Sequence, residues 1–273
     1  MLSTRFTRLG GLVAGMLFAT LTSAHAQLSL APTTPSGATA TPAFEGWYRN
    51  TDGTYSLSFG YFNRNANEVV SVPIGPDNSI SPGPADQGQP SYFYPRRHFG
   101  VFAVKVPADF QGKLVWTLKL RGQTYTIPGS LREEWQIDAL EGEAGSNNTP
   151  PVLSFAAGGP EGRGPGGISV DRTTSVGKPL SIDIIAKDDG ANPNGRPVPV
   201  TLAWFTHQGP AEVKFAPAAA RLTPTGGTSS TMATFSKPGD YILRVRANDS
   251  DVTAAGHSQC CWTNAFVRVR VTP

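Results

Sequence analysis

Aromatic and aliphatic residues alternate with polar or small residues over many short stretches of the chain. They occupy every second position from Tyr55 to Tyr61, which is the period of a β-strand with one buried face. The preceding pair Asp52-Gly53 is typical of a tight turn, because glycine tolerates a positive φ. Stretches of the same kind predict further strands in the first half of the chain, at 68–72, 99–106, 113–120, 123–127 and 134–137.

The second half of the chain repeats this pattern, with turn residues at short intervals. Its apolar stretches predict about seven strands, at 168–170, 180–187, 200–206, 211–215, 228–236, 241–248 and 265–271. No long apolar series at helical spacing follows the first 26 residues. The pattern therefore predicts an all-β protein with two β-sandwich-like domains in tandem, the second one immunoglobulin-like (Ig-like).

Segments poor in large apolar residues divide the chain. Residues 27–43 are rich in Ala, Pro, Thr and Ser, and this composition predicts a flexible leader. A run of Gly, Ser, Asn, Thr and Pro at 145–151 predicts the boundary between the domains. We therefore place the first sandwich at 44–146 and the second at 147–273.

Residues 1–26 have the pattern of a secretory signal peptide. Arg5 and Arg8 precede an apolar stretch at 9–21, and Ala24-His25-Ala26 is a cleavage signature of small residues. After cleavage no apolar stretch of about 18 residues remains, which predicts no transmembrane segment in the mature chain. These features predict an exported bacterial protein, periplasmic or secreted, with an uncleaved N-terminal anchor as the alternative.

The charge balance argues against one class of partner. The chain has 23 Lys and Arg against 20 Asp and Glu, and two of the arginines belong to the signal peptide. A mature chain so close to neutral has no general electrostatic attraction for nucleic acid or for an anionic membrane. The expected partner is therefore a protein or a glycan of the envelope.

Residues 148–273 resemble the Ig-like β-sandwiches of bacterial exported proteins, close to the PKD-like and cadherin-like groups. The run from Asn148 to Val152 is similar to the first strand of such modules. Trp204 lies where strand C of these modules carries a buried tryptophan, and the run from Ser236 to Leu243 resembles their corner between strands E and F.

This resemblance implies roles for single residues. Tyr241 would be the corner tyrosine, whose hydroxyl bonds back to the main chain. Leu243 stands where antibody domains have a cysteine, so packing against Ile182 or Ile184 would replace the disulfide. The resemblance says almost nothing about a ligand. The first domain is similar, around its Phe-Glu-Gly-Trp-Tyr and Tyr-Pro-Arg-Arg-His-Phe-Gly stretches, to uncharacterised exported bacterial proteins, and no function comes with that likeness.

Two acidic loops are predicted to lie at the same end of the second sandwich. Asp188 and Asp189 follow strand B, and Asp249 and Asp251 follow strand F. In an Ig-like sandwich the loops after these strands meet, so the four carboxylates would converge, and such hard oxygen ligands suit Ca²⁺. The alternative is a pair of ordinary polar turns, because Asp, Asn and Gly favour turns on their own account. No cofactor is required by any other feature.

The two cysteines of the chain, Cys260 and Cys261, are adjacent. Exported proteins mostly use cysteines in disulfides, which favours a vicinal bridge, although adjacent Cα atoms about 3.8 Å apart lie below the usual disulfide range. Free or intermolecular thiols are one alternative. A site for a soft metal such as copper or zinc, completed by His257, is another.

A segment that mixes aromatic and cationic side chains follows a long loop at 73–90, which carries five prolines. Long loops in compact domains are often functional, and aromatic faces combined with arginines suit recognition. We therefore predict a partner-binding surface formed by Tyr92, Tyr94, Arg96 and Arg97. The alternative is that the aromatic residues pack inside and the arginines are solvated at a strand edge.

No candidate catalytic motif in the sequence has the neighbouring residues that its chemistry needs. The run from Gly162 to Gly167 matches G-x-G-x-x-G, but a dinucleotide site needs a strand before the motif and a helix after it. An acid–base pair of a glycan-active enzyme could come from the carboxylates Glu133, Glu134, Asp138, Glu141 and Glu143, although a solvated edge suits them better. We therefore predict a non-enzymatic exported binding or scaffold protein, with a metal-linked periplasmic protein and a glycan-active enzyme as the alternatives.

Overall fold

The computed structural model describes residues 34–140, 148–191, 197–249 and 260–273. The predicted signal peptide at 1–26, together with Asp251 and His257, lies outside these ranges. Within them the secondary structure is β-strand apart from one 3₁₀ helix, Glu133–Trp135, so the all-β prediction is confirmed. No helix in the described ranges has the length and apolar character to span a bilayer.

The first sandwich is built from two three-stranded antiparallel sheets and one short strand pair. Its strands are β1 (Ala40–Arg49), β2 (Tyr55–Asn63), β3 (Val70–Ser71), β4 (Asn78–Ser81), β5 (Tyr92–Phe93), β6 (Arg96–Val106), β7 (Leu114–Leu120) and β8 (Gln123–Gly129). One sheet has the order β1-β2-β6, the other has the order β4-β7-β8, and β3 pairs with β5. The alternation from Tyr55 to Tyr61 therefore marks the central strand of a sheet.

Three details of the first half differ from the prediction. The segment predicted as a loop at 73–90 contains β4, which pairs with β7. β1 begins at Ala40, inside the segment predicted as a flexible leader, because pairing of Ala40 with Asn63 satisfies the main chain without large side chains. The strand predicted at 134–137 is wrong. The N–H groups of Trp135 and Gln136 donate to main-chain oxygens three residues back, which forms the 3₁₀ helix instead.

Aromatic side chains fill the space between the two sheets. Trp116 is fully buried, with Phe102 and Phe59 edge-on to it at ring distances of 5.2 and 6.1 Å. Its indole N–H donates to the buried Asn78 side chain at 3.0 Å. The Asn78 amide in turn donates to the carbonyl of Pro90 at 2.8 Å. The proline-rich loop is therefore tied to the core at its centre and at its end.

The second sandwich consists of two five-stranded sheets. Its strands are β9 (Val152–Ser154), β10 (Glu161–Gly162), β11 (Ile168–Ser175), β12 (Leu180–Lys187), β13 (Thr201–Gln208), β14 (Lys214–Ala216), β15 (Ala219–Arg221), β16 (Gly226–Thr234), β17 (Gly239–Asn248) and β18 (Trp262–Thr272). The sheet orders are β10-β9-β12-β16-β14 and β11-β18-β17-β13-β15. All pairs are antiparallel except β11 with β18.

This order is that of an Ig-like sandwich. β9, β12, β16 and β14 correspond to the ABED sheet, and β13, β17 and β18 correspond to the CFG sheet. β11 adds to the CFG sheet alongside β18. The topology confirms the Ig-like prediction, whereas the narrower likeness to the PKD-like group stays a prediction.

The residues that carried the resemblance occupy the expected places. The Tyr241 hydroxyl donates to the carbonyl of Lys237 at 2.9 Å, which is the tyrosine corner. Trp204 on β13 is 5% exposed and belongs to the core of this sandwich. Leu243, Ile182 and Ile184 are buried in the same core, so apolar packing holds the sheets together where antibody domains use a disulfide.

Candidate functional site

The outer face of the CFG sheet packs against the first sandwich. Side chains alternate along a strand, and since Trp204, Leu243 and Val267 point into the core, Phe205 and Arg244 point outward. The Phe205 ring lies 5.2 Å from that of Tyr94 and 5.5 Å from that of His98, both in the first sandwich. Residues 33–273 accordingly form one compact unit. We call this region the intersandwich contact.

The predicted partner-binding residues lie at or beside this contact. Tyr92 is 9% exposed. The Tyr94 hydroxyl accepts a hydrogen bond from the main-chain N–H of Thr206 at 3.1 Å, in the second sandwich. Its own N–H donates to the Tyr61 hydroxyl at 2.9 Å. Both tyrosines are therefore held inside the molecule.

The two arginines of the predicted surface behave differently from each other. Arg97 forms an ion pair with the buried Glu45 at 2.7 Å, and its guanidinium lies 4.1 Å from the Phe99 ring centre. Arg96 is exposed and adopts a φ of +78°. The structure thus leaves Arg96 as the one member of the predicted set that faces solvent freely.

A buried arginine lies at the centre of the intersandwich contact. Arg244 is 2% exposed, its guanidinium stacks 4.5 Å from the Phe205 ring centre, and Nη1 donates to the Asn264 side chain at 3.1 Å. Burial lowers its pKa to about 10. No carboxylate of the described residues forms an ion pair with it, so the aromatic ring and the amide supply its main contacts.

His98 and His207, whose pKa values are shifted, both lie close to Arg244. His98 Nε2 donates to the carbonyl of Pro95 at 3.1 Å, and His207 Nε2 donates to the carbonyl of Gly88 at 2.7 Å. Burial, reinforced by the charge of Arg244, lowers the pKa of each imidazole to about 3. Both rings are therefore neutral at physiological pH and are fixed by main-chain carbonyls.

Main-chain groups complete the contact. Ser91 donates its N–H to the carbonyl of His207 at 2.8 Å. Gly100 accepts from the Asn264 side chain at 2.7 Å and from the Trp262 indole at 3.3 Å. Gly100 has a φ of +45°, and a Cβ there would lie 2.6 Å from the Trp262 ring. Only glycine allows the two sandwiches to approach this closely at that point.

The acidic loops bring two of the four predicted carboxylates together. Asp249 is 1% exposed, and within the described ranges its carboxylate oxygens have no hydrogen-bond donor apart from a proton shared with Asp188. Burial, followed by repulsion from Asp188, raises its pKa to about 8. Burial also raises the pKa of Asp188, whose Oδ2 accepts from the Gly190 N–H at 2.8 Å, while Oδ1 is buried with no donor among the described residues apart from a proton shared with Asp249.

The remaining predicted ligands are not placed in this pair. Asp189 is exposed, and its carboxylate accepts from the Thr149 hydroxyl and the Ala191 N–H, each at 2.7 Å. Asp251 lies outside the described residues. In the part of the chain that the structure describes, no three His, Cys, Asp or Glu side chains are grouped to hold a metal ion.

Cys260 and Cys261 are joined in a vicinal disulfide next to the acidic pair. The two residues are 5% and 2% exposed, and each sulfur lies 3.5 Å from the Asn148 carbonyl oxygen. The carbonyl of Cys261 accepts from the N–H of Asp249 at 3.3 Å. The disulfide therefore positions the main chain of the buried carboxylate.

A groove runs along the edge of the intersandwich contact, where the first sandwich stops covering the CFG sheet. It consists of two adjoining cavities of about 430 and 500 Å³. Asp86, Ile242 and Arg268 line both. We call it the rim groove. Sequence reasoning missed it and the contact beside it, although Phe205 and Phe266 at outward-facing strand positions were the available signal.

Two of the carboxylates considered for acid–base chemistry, Glu133 and Glu134, are exposed on the 3₁₀ helix, and Glu141 and Glu143 lie outside the described residues. Glu134 forms an ion pair with Arg132.

No protein-family profile matches this chain, and no curated protein matches it. Among solved structures it is similar to domains 4 and 5 of the S-layer protein SbsC, with 11% identity, a TM-score of 0.25 and coverage of 63% of this chain and 71% of that one. It is also similar to the D00-D0 domain of intimin, with 12% identity, a TM-score of 0.27 and coverage of 86% and 100%. The enterotoxigenic E. coli adhesin CfaE is similar as well, with 12% identity, a TM-score of 0.25 and coverage of 89% of this chain and 82% of that one. Overlap this low carries no function over to this chain.

Proposed function

We propose that this chain is a non-enzymatic binding or scaffold protein, exported to the bacterial envelope or exterior, which recognises a protein or a glycan. The observation that carries the proposal is the intersandwich contact. Its ionisable side chains are held in structural bonds, with His98 and His207 neutral and bonded to main-chain carbonyls. A general acid or base needs a pKa near the working pH, and these groups are far from it.

The contact also suits a scaffold mechanically. Two sandwiches joined by a flexible linker alone move independently. Here a buried arginine, paired aromatic rings and main-chain hydrogen bonds join them, so the unit presents its surfaces at a fixed geometry. A rigid presenting surface lowers the entropic cost of binding a partner.

Export is supported by the signal-peptide pattern and by the vicinal disulfide, since disulfides persist in oxidising compartments. Residues 1–43 fused ahead of a reporter that folds only outside the cytoplasm test this part. Reporter activity that disappears when Arg5 and Arg8 are replaced by Glu is the expected result. Equal activity of both fusions would contradict export through this segment.

Binding is tested with the predicted mature chain, 27–273, immobilised and exposed to envelope and culture-supernatant fractions. We expect a protein or glycan to be retained, and Arg96→Ala to weaken retention if the predicted surface contributes through its exposed arginine. Tyr92 and Tyr94 stay unchanged in this design, because their replacement would disturb the intersandwich contact. Failure of both fractions to supply a ligand, together with turnover in a panel of hydrolase substrates, would refute the proposal.

A second candidate function is a calcium-linked protein, and the orphaned carboxylate of Asp249 favours it. A buried carboxylate pair with so few donors is costly, and a divalent cation between Asp188 and Asp249 would neutralise it. Ca²⁺ at a hundred times its Kd should add about 2.7 kcal/mol to the free energy of unfolding. The test is a thermal melt with Ca²⁺ and with EDTA.

The control for the cation test is Asp171→Asn, which removes an exposed carboxylate elsewhere on the second sandwich. Calcium should raise the melting temperature of this variant as much as that of the unaltered chain, and should leave Asp249→Asn unchanged. A melting temperature of the unaltered chain that is the same in Ca²⁺ and EDTA would show that the pair shares a proton instead.

A further inference from the structure

The rim groove has an apolar floor and polar walls. Ile242 and Phe266 lie diagonally to each other on adjacent strands of the outer CFG face, since Ile242 pairs with Arg268 and Phe266 pairs with Arg244. Both are half-buried. Phe266 is fixed by an edge-on contact with His207, at a ring distance of 5.3 Å. An aromatic and an aliphatic side chain thus form a continuous apolar strip beside the first sandwich.

The charges around this strip balance. The charged residues that line the two cavities are three aspartates and three arginines, Asp86, Asp171, Asp240, Arg172, Arg268 and Arg270. His207 also lines the groove and is neutral. A groove with no net charge has no preference for an anionic or a cationic chain. It offers many donors and acceptors to a neutral ligand.

Arg268 occupies the centre, since it lines both cavities. It lies opposite Ile242 in the strand register and donates to the Ser169 hydroxyl at 3.0 Å. Among the described residues it forms no ion pair, unlike Arg270, which pairs with Asp240 at 3.0 Å. Most donors of its guanidinium fork therefore remain available for a ligand.

The wall opposite the strip is held in place. Gln208 Nε2 donates to Asp86 Oδ1 at 3.1 Å and to the carbonyl of Gln89 at 2.7 Å. Gly88, bonded to His207, stands in the same wall. The polar groups that face the strip are thus positioned before any ligand arrives, which favours binding.

We propose that the rim groove binds a neutral oligosaccharide chain. A pyranose ring has apolar C–H faces that match the Phe266 and Ile242 strip, and a rim of hydroxyls that both donate and accept. The carboxylate of Asp86 accepts from such hydroxyls and the guanidinium of Arg268 donates to them. Two adjoining cavities at a domain junction suit a chain of several sugars. This inference rests on the proposed binding function and names the class of its ligand.

The test measures binding of neutral hexasaccharides of glucose, mannose and N-acetylglucosamine by calorimetry and saturation-transfer NMR, with hexagalacturonate as the anionic comparison. At least one neutral chain should bind with a Kd below about 1 mM, and hexagalacturonate should bind no more tightly than that chain, because the groove has no net charge. Arg268→Ala should weaken binding at least tenfold. This exposed residue makes one side-chain hydrogen bond in the described structure, so the variant should fold.

Phe266→Leu is the second variant, because it keeps an apolar side chain against His207 and removes the aromatic face. Trp135→Ala is the matched control, since Trp135 is 45% exposed in the first sandwich, away from the groove. The placement is wrong if Trp135→Ala abolishes binding or if Arg268→Ala leaves it intact. If none of the neutral chains binds while the immobilised chain retains a protein, the glycan inference fails and the proposed binding function stands.

Discussion

Replacing Asp249 by asparagine should stabilise the protein at alkaline pH, against the usual effect of a substitution at a buried position. Among the described residues the carboxylate has no donor apart from a proton shared with Asp188, and its pKa is raised to about 8 by burial and by Asp188. An asparagine side chain would supply an N–H for the Asp188 carboxylate and remove the repulsion. Position 249 would then be uncharged at every pH, so only Asp188 of the buried pair could carry a charge.

The magnitude follows from proton linkage. The folded chain keeps the proton of Asp249 up to about pH 8, whereas the unfolded chain loses it near the ordinary value of 3.8. Between these pKa values the folded state binds more protons, so its stability falls as pH rises, by about 1.4 kcal/mol per unit. From pH 6.5 to pH 8 the loss is about 1.5 kcal/mol, because the slope flattens near the folded pKa.

Urea unfolding with EDTA present, at pH 6.5, 7.2 and 8, measures this difference. The two buried histidines contribute to the pH dependence of both proteins equally, so subtracting one curve from the other isolates the contribution of the Asp188–Asp249 pair. The advantage of Asp249→Asn over the unaltered chain should grow by about 1.5 kcal/mol across this range, or about 3–6 °C in melting temperature. A difference that stays constant with pH would refute the reasoning.

Three further predictions follow from the intersandwich contact and the core. The free energy of unfolding should fall as pH drops below about 6.5, because each buried histidine has a folded pKa near 3. Each histidine lowers this free energy by about 1.4 kcal/mol per pH unit. Acid titration followed by tryptophan fluorescence should show that His207→Gln is less acid-sensitive than the unaltered chain. Gly100→Ala should lower the free energy of unfolding in urea by about 2–3 kcal/mol, because its Cβ would meet the Trp262 ring at a positive φ. The control Gly53→Ala has open space around it and should lower this free energy less. Tyr241→Phe should lose about 1 kcal/mol of unfolding free energy in the same assay, the net value of its corner hydrogen bond, and an unchanged midpoint would contradict that role.

The Ig-like half was predictable because its signals are local. Alternation marked β12, β13, β17 and β18, and the run before Tyr241 marked the corner. Such features depend on residues close in sequence. The first half was harder, since β1 begins with small residues whose place is set by pairing with β2, and pairing between strands is weakly encoded in composition.

The intersandwich contact was not predictable from the period of each strand. Alternation separates the two faces of a strand, but it does not say what covers the outer one. Phe205 and Phe266 stand at positions that solvent-facing strands usually fill with polar residues, and their aromatic character was the signal. Tyr94 was predicted to meet a partner, and in the structure the surface it meets is the second sandwich.

The intersandwich contact has a consequence for dividing the gene. Cutting between the sandwiches near residue 147 separates two stretches that look independent in sequence. A fragment of the second sandwich alone would expose to solvent a sheet face that carries Phe205, Trp262 and the charge of Arg244, which the first sandwich covers in the intact chain. Such a fragment is expected to self-associate through that face, and two fragments expressed together are expected to find each other and reassemble.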